Sequence, residues 1–244
     1  MDLAILGSGA AFSATGFNAG YLVDAGLLLD CGAPVTGLLP KMGRSVGDLE
    51  TLVISHLHGD HVLNLPVLIA TRLVQHPDLP PLRLIGPRGT QEHVAELGRL
   101  TFGPEFWDEL VAANGPRIEE WEDGRSSRLG GYQLTAYEVA HSERLHCLAF
   151  SVESQGVSLG YSGDTTYCDG IRRLARSVQY LLCECTGWSA PAPIHLWRDE
   201  VEELMKEAPS TRFILTHLGE RRPVPGALLA SDGLRLTLRP GAPD

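Results

Sequence analysis

The chain has 244 residues, of which 43% are hydrophobic and 20% charged, the balance of a folded globular protein and not of a disordered or fibrous one. Thirty acidic residues against twenty basic ones leave a formal charge of −10, which argues against a broad electrostatic grip on nucleic acid. No apolar run approaches the ~20 residues that span a bilayer, and the opening MDLAILGSG lacks the basic region and small-residue cleavage site of a secretory signal.

Short apolar runs between glycines and prolines predict strands at residues 3–6, at 20–24 and 27–31 as a hairpin, and at 51–55 (TLVIS). Residues 62–76 have the pattern of a helix, 82–85 of a strand and 91–100 of a second helix. The polar segment 119–131 reads as a surface loop between two halves. Strands follow at 132–139, 148–153, 157–161 and 180–184, with Gln155-Gly156 as a turn. Val201, Leu204, Met205 and Ala208 share one helix face. The last strands are 212–216 (RFILT) and 234–238. With no linker-like stretch or short repeat, residues 1–244 are expected to form a single domain of layered α and β structure.

The five cysteines are odd in number and form no CxxC pair, so reduced, mostly buried thiols and a cytoplasmic protein are expected. Cys183 and Cys185 fall on one face of a strand, but a second Cys or His pair, as thiolate metal sites usually have, is not nearby.

Three of the nine histidines fall within six residues, His56-Leu57-His58-Gly59-Asp60-His61, directly after the TLVIS run. Imidazole with carboxylate suits zinc, manganese or iron. His56 and His58 can reach one ion; Asp60 and His61, past a glycine that lets the chain turn, can reach a second. His141, Asp164 and His217 repeat the placement, each just beyond the end of an apolar run. His195 stands in PIHLW, ahead of the amphipathic helix. His146 could line the same cleft but reads better as a loop residue, as His76 and His93 read as surface residues. Arg144, Arg198, Arg221 and Arg222 flank the motifs and could bind phosphate, although such arginines are more often solvated or paired.

HLHGDH, VAHS, YSGDT and THLG, in that order, together with LGSGAAF, NAGYLVDAG and LLLDCG near the N-terminus, resemble the metallo-β-lactamase superfamily over nearly the whole chain. The likeness is greatest to its ribonuclease Z-like phosphodiesterases. The resemblance implies a four-layer αββα sandwich and two divalent metal ions, zinc foremost. It assigns His56, His58 and His141 to the first ion, Asp60, His61 and His217 to the second, and Asp164 as the bridge. Asp60 and His195 are the candidate catalytic residues. Two such ions ~3.5–4 Å apart can share a hydroxide, since metal binding lowers the pKa of water from 15.7 to ~7.

The branch carries a non-ligand histidine like His195 that is usually followed by Ser or Thr; here Leu196-Trp197 follow, which puts the helix cap in question. Ribonuclease Z itself carries a long basic arm between the positions matched by His141 and Asp164, an interval that here reads as a plain hairpin. The expectation is therefore a phosphodiesterase for a small or generic phosphodiester, with extended nucleic-acid binding and membrane association absent. The other readings are a transfer-RNA 3′-processing endoribonuclease, a lactone, acyl or sulfate-ester hydrolase, or a metal-dependent binding module without turnover. By analogy a homodimer is expected. The helix after His61 and the region of Phe102, Phe106 and Trp107 are candidates for its interface, with ordinary core packing the preferred reading. The segment 103–131 is the candidate to shape the pocket.

Overall fold

A computed structural model describes residues 1–14, 16–189 and 193–241. Two seven-stranded sheets form the centre of the protein. The first has the order β14 (Arg235–Thr237), β1 (Asp2–Gly7), β2 (Gly20–Val23), β3 (Leu27–Leu29), β4 (Thr51–Val53), β5 (Arg83–Gly86), β6 (Arg117–Glu120). The second has β13 (Ala227–Leu229), β12 (Arg212–Thr216), β11 (Tyr180–Glu184), β10 (Val157–Tyr161), β9 (Cys147–Ser154), β8 (Tyr132–Val139), β7 (Ser126–Leu129). Strands β3 to β6 run parallel, as do β10 to β13. The helices are α1 (Val35–Leu38), α2 (Gly59–Val62), α3 (Leu65–Gln75), α4 (Thr90–Phe102), α5 (Pro104–Asn114), α6 (Asp169–Ser177) and α7 (Arg198–Glu207).

Strand alternation assigns the layers. Leu3, Ile5, Val23, Leu27, Leu29 and Val53 face inward and meet Leu134, Phe150, Val152, Leu159, Leu182 and Ile214 of the other sheet. The intervening residues face outward: Leu22, Leu28, Leu52 and Leu84 pack with α3 residues Leu65, Leu68 and Ile69. On the far side, Leu181, Cys183, Phe213 and Leu215 pack with Ile171 and Leu174 of α6 and Val201 and Leu204 of α7. The result is the αββα sandwich that the motifs implied. Burial on both faces explains why its central strands read as unbroken apolar runs.

Several expectations need correcting. The helix expected over 62–76 begins later, as α3 at Leu65 with Asn64 as its N-cap and Pro66 in its first turn, while Val62 ends the separate short helix α2. The segment 119–131 is no plain loop: it ends β6, buries Trp121 between the sheets and forms β7. Arg125 stacks over the Trp121 ring at 5.3 Å, so the polar residues cover one aromatic anchor as the chain crosses from one sheet to the other. Helices α5 and α6 were not read from the sequence. Phe102 and Phe106 stay exposed while Trp107 is buried. Its ring fills the space beside Gly98, where a Cβ would come within 2.0 Å of it.

Candidate metal centre

The parallel strands of each sheet end at one edge of the sandwich, the usual place for a site in parallel α/β architecture. The chain leaving β4 carries His56, His58, Asp60 and His61; the ends of β8, β10 and β12 are followed by His141, Asp164 and His217. The seven expected ligand residues fall into two groups. His56, His58 and His141 form one, and Asp60, His61, Asp164 and His217 the other, each with donor atoms within 4.8 Å of one another.

In the first group, His56 Nε2 and His141 Nε2 lie 3.1 and 3.0 Å from His58 Nδ1. The opposite nitrogens fix the tautomers. Ser55 Oγ donates to Asp30 Oδ2, so it accepts from His56 Nδ1 at 3.0 Å. His141 Nδ1 donates to the Ile194 carbonyl at 2.6 Å. Both Nε2 atoms therefore present lone pairs to the same point. Donor nitrogens on tetrahedral zinc, with bonds of 2.0–2.1 Å, would be about 3.3 Å apart, close to what is seen. Burial pushes the His56 imidazole far below its usual pKa range and lowers His58 and His141 as well, keeping these rings neutral as ligands must be.

In the second group, His61 Nδ1 donates to Asp30 Oδ2 at 2.6 Å, which aims Nε2 at Asp60 Oδ2 and Asp164 Oδ1, 3.4 Å from each. His217 Nδ1 donates to Thr186 Oγ1 at 2.8 Å, leaving Nε2 3.1 Å from Asp60 Oδ2 and 3.4 Å from Asp164 Oδ2. Asp164 Oδ2 is also 3.8 Å from both His56 Nε2 and His141 Nε2, so one carboxylate faces both groups. His61 Nε2 and Asp164 Oδ1 are buried with no hydrogen-bond partner. Orphaned atoms at the meeting point of ligand-type side chains mark the place of a cation. The donor set fits divalent metal ions, since buried carboxylates persist when paired or coordinating. Burial opposes ionisation of Asp60 and Asp164, yet the adjoining histidines hold both carboxyls well below their usual range.

Beyond these residues lies a shell that motif reading did not single out. Asp30, fully buried at the end of β3, accepts from Ser55 N, Ser55 Oγ, Tyr161 Oη and His61 Nδ1. Its φ of +54° is a left-handed conformation that Asp tolerates better than most residues. Glu184, buried at the end of β11, accepts from Thr165 N at 2.6 Å, Thr186 Oγ1 at 2.7 Å and His195 Nδ1 at 3.1 Å. Both are charged residues closing an apolar run, the placement that singled out Asp164.

His195 lies beside both groups, with its ring centroid 4.8 Å from His141 and 5.3 Å from His217. Burial works to lower its pKa, but the Glu184 hydrogen bond and the charges of Glu184 and Asp164 outweigh it and raise the imidazole above its ordinary value. Among the described residues no side chain caps the first turn of α7 in place of the missing Ser or Thr, and the Glu200 carboxylate accepts only the N–H of the N-cap residue Trp197, at 3.2 Å. Leu196 is buried, and its carbonyl accepts from Thr186 N and Gly187 N, both at 3.1 Å.

The remaining candidates lie elsewhere. His146 Nδ1 accepts from Arg88 N, and His76 pairs with Ser45. Arg198 pairs with Asp199 and Glu202, and Arg222 with Glu220. Arg221 holds Ser8 and the Ala230 carbonyl. The cysteines are all free, and among the described residues none joins a metal-type cluster. No residue of 103–131 lines the cleft; Ala11, Phe12 and Asn18 do, with His58, Asp60 and His195, around a volume of about 500 Å³.

Residues 21–218 match the family described as the beta-lactamase superfamily domain. The chain belongs to the metallo-β-lactamase superfamily. Among its relatives, this metallo-β-lactamase-fold chain is 30% identical over 186 residues to a ribonuclease Z of Mycolicibacterium gilvum, a match covering 72% of this chain and 65% of that protein. The superfamily member also superposes on the metallo-beta-lactamase fold protein YhfI from Bacillus subtilis with a TM-score of 0.76 and 19% identity, covering 96% of this chain and 98% of that one. The short form of human tRNase Z gives a TM-score of 0.77 at 24% identity, covering 98% of this chain and all of that one. Among the described residues no helix is long and apolar enough to cross a membrane.

Proposed function

We propose that this protein is a dinuclear metal-dependent hydrolase acting on a small phosphodiester. The observation that carries the reading is the pair of His/Asp groups facing one carboxylate, Asp164, beside the His195–Glu184 pair at the floor of an open cleft. The kinship with a ribonuclease Z favours phosphorus over carbon as the centre attacked.

His56, His58 and His141 would hold one cation, Asp60, His61 and His217 the other, and Asp164 both. Divalent ions so held lower the pKa of water from 15.7 to about 7 and offset charge on the substrate's oxygens. Asp30, Ser55, the Ile194 carbonyl and Thr186 each take the outward N–H of one ligand histidine, which fixes its tautomer and orientation. Asp60 adds a carboxylate at the mouth, where it would orient the attacking water. His195 would supply a proton to the leaving oxygen. Glu184 occupies its Nδ1, which leaves Nε2 for the cleft and favours the charged, proton-bearing form.

The His141–Asp164 interval holds a five-residue loop (142–146), β9, a two-residue turn, β10 and two further residues. With the charge of −10, this supports a small substrate over transfer RNA.

The test is hydrolysis of bis(p-nitrophenyl) phosphate before and after chelation, with zinc or manganese then restored. Turnover that disappears on chelation and returns with metal is expected. His61→Ala and Asp164→Ala should stay folded, bind less metal and lose turnover. Absence of activity in the folded, metal-loaded protein would overturn the phosphodiesterase reading and favour lactone, acyl or sulfate-ester substrates.

A further inference from the structure

His217 departs from ordinary backbone geometry. Its φ of +50° is left-handed, a conformation that a residue with a side chain keeps only where its surroundings hold it. Thr186 Oγ1 holds the ring, accepting from Nδ1 at 2.8 Å. The backbone is held from the opposite sheet. Leu218 N donates to the Ser8 carbonyl at 2.9 Å, and Ala10 N donates to the Leu218 carbonyl at 3.3 Å. These bonds form a parallel bridge between Gly9, just past β1, and Leu218, just past β12.

The segment from Ser8 to Ala10 is itself fixed by a polar knot. Ser8 is fully buried. Arg221 Nη2 donates to Ser8 Oγ at 2.6 Å, and that hydroxyl donates on to Asp232 Oδ1 at 2.7 Å. Asp232 Oδ1 also accepts from Ser8 N at 3.0 Å, and its Oδ2 accepts from Phe17 N at 2.7 Å. One carboxylate therefore closes both ends of the β1–β2 loop. Asp232 lies in the connection from β13 to β14, which is tied to both sheets: Ala230 N donates to the Leu215 carbonyl of β12 and Gly233 N to the Ile5 carbonyl of β1, both at 2.8 Å. Gly9 has no room for a side chain, since a Cβ there would lie 2.7 Å from the Gly16 carbonyl oxygen.

We propose that Asp232 is a positioning residue for the second cation, acting through Ser8, Leu218 and the backbone of His217. The proposal rests on the dinuclear reading, which gives His217 to that cation. The first group is held from elsewhere, by Ser55 and the Ile194 carbonyl. Removing the Asp232 carboxylate should therefore loosen one ion and spare the other. A residue that only held the fold together would weaken both alike.

Stepwise transfer of zinc to a chromogenic chelator measures the two ions separately. His58→Ala and His217→Ala each remove one ligand and identify which step belongs to which group. Asp232→Ala should weaken the second ion by about ten-fold or more, the scale for groups that orient a metal ligand. The first ion should change by no more than about two-fold, the scatter of independent sites. Gly9→Ala displaces the same segment without touching Asp232; it should show the same split, and it decides the question if Asp232→Ala does not fold. An unchanged second ion, or equal loss of both, overturns the proposal and leaves the dinuclear reading standing. If the parent protein takes up fewer than two ions, that reading has failed, and the metal-free protein decides by NMR of labelled histidine. The His217 ring resonance, known by its absence in His217→Ala, should then move in Asp232→Ala while those of His56, His58 and His141 stay. Movement of all four, or of none, overturns the proposal.

Discussion

Asp30 Oδ2 accepts a hydrogen bond from His61 Nδ1 at 2.6 Å, and through it the end of β3 dictates where His61 points. The same carboxylate takes both donors of Ser55, and Ser55 in turn orients His56. One buried side chain thus aims a ligand of each metal group. Replacing Asp30 with Asn keeps the size and removes the charge. Zinc affinity, read by competition with a chromogenic chelator, should fall about 10- to 100-fold. Unchanged affinity would show that backbone packing alone holds the two rings.

His195 contributes differently. Its Nδ1 is held by Glu184 and its ring stacks near His217, but it completes neither of the two ligand groups assigned to the cations. His195→Ala should lower kcat by about 10²- to 10⁴-fold, the usual contribution of a positioned acid, with metal content unchanged by elemental analysis. Loss of metal in step with activity would make it a ligand instead.

Gly98 sits mid-helix in α4, where alanine ordinarily stabilises by about 1 kcal/mol. Here the added Cβ would lie 2.0 Å from the buried Trp107 ring, and overpacking costs about 1–3 kcal/mol. The clash outweighs propensity, so Gly98→Ala should lower the urea midpoint. A raised midpoint would mean that Trp107 moves freely.

Glu207 accepts from Arg172 and Tyr167 at 2.8 and 2.6 Å and also pairs with Arg176. The Arg172 hydrogen bond, then that of Tyr167, holds its pKa at about 2, down from 4.5. A depressed carboxylate stabilises the fold fully above its unfolded pKa and loses that contribution as pH falls through the folded one. The difference in urea midpoint between the native protein and Glu207→Gln should hold steady above about pH 5 and shrink between pH 4.5 and 2. A difference independent of pH would show that the charge is immaterial.

The ligand positions were legible because each follows an apolar run, and a polar residue at a strand's end is where a buried sheet meets solvent. His56, Asp164 and His217 obey that rule, and so do Glu184, which stands in no motif, and Asp30, which stands in LLLDCG but was given no role of its own. Helices α5 and α6 were missed for another reason. Helix α5 buries only Trp107 and so shows no apolar stripe; α6 does carry one, in Ile171, Leu174 and Ala175, but spans only nine residues with a very polar outer face. Segment 119–131 misled because its charged residues cover Trp121, and composition cannot distinguish an aromatic under a polar lid from a surface loop. Phe12 gave no signal because nothing in LGSGAAF says that its last residue faces the cleft.

Neither metal group is complete within one sheet. The first takes His56 and His58 from the chain after β4 and His141 from the end of β8; the second takes Asp60 and His61 from one side and Asp164 and His217 from the other. Each cation would therefore act as a rivet through the open edge of the sandwich, where the two sheets are joined by no shared strand. Loading the centre should tighten the whole molecule as well as arm it.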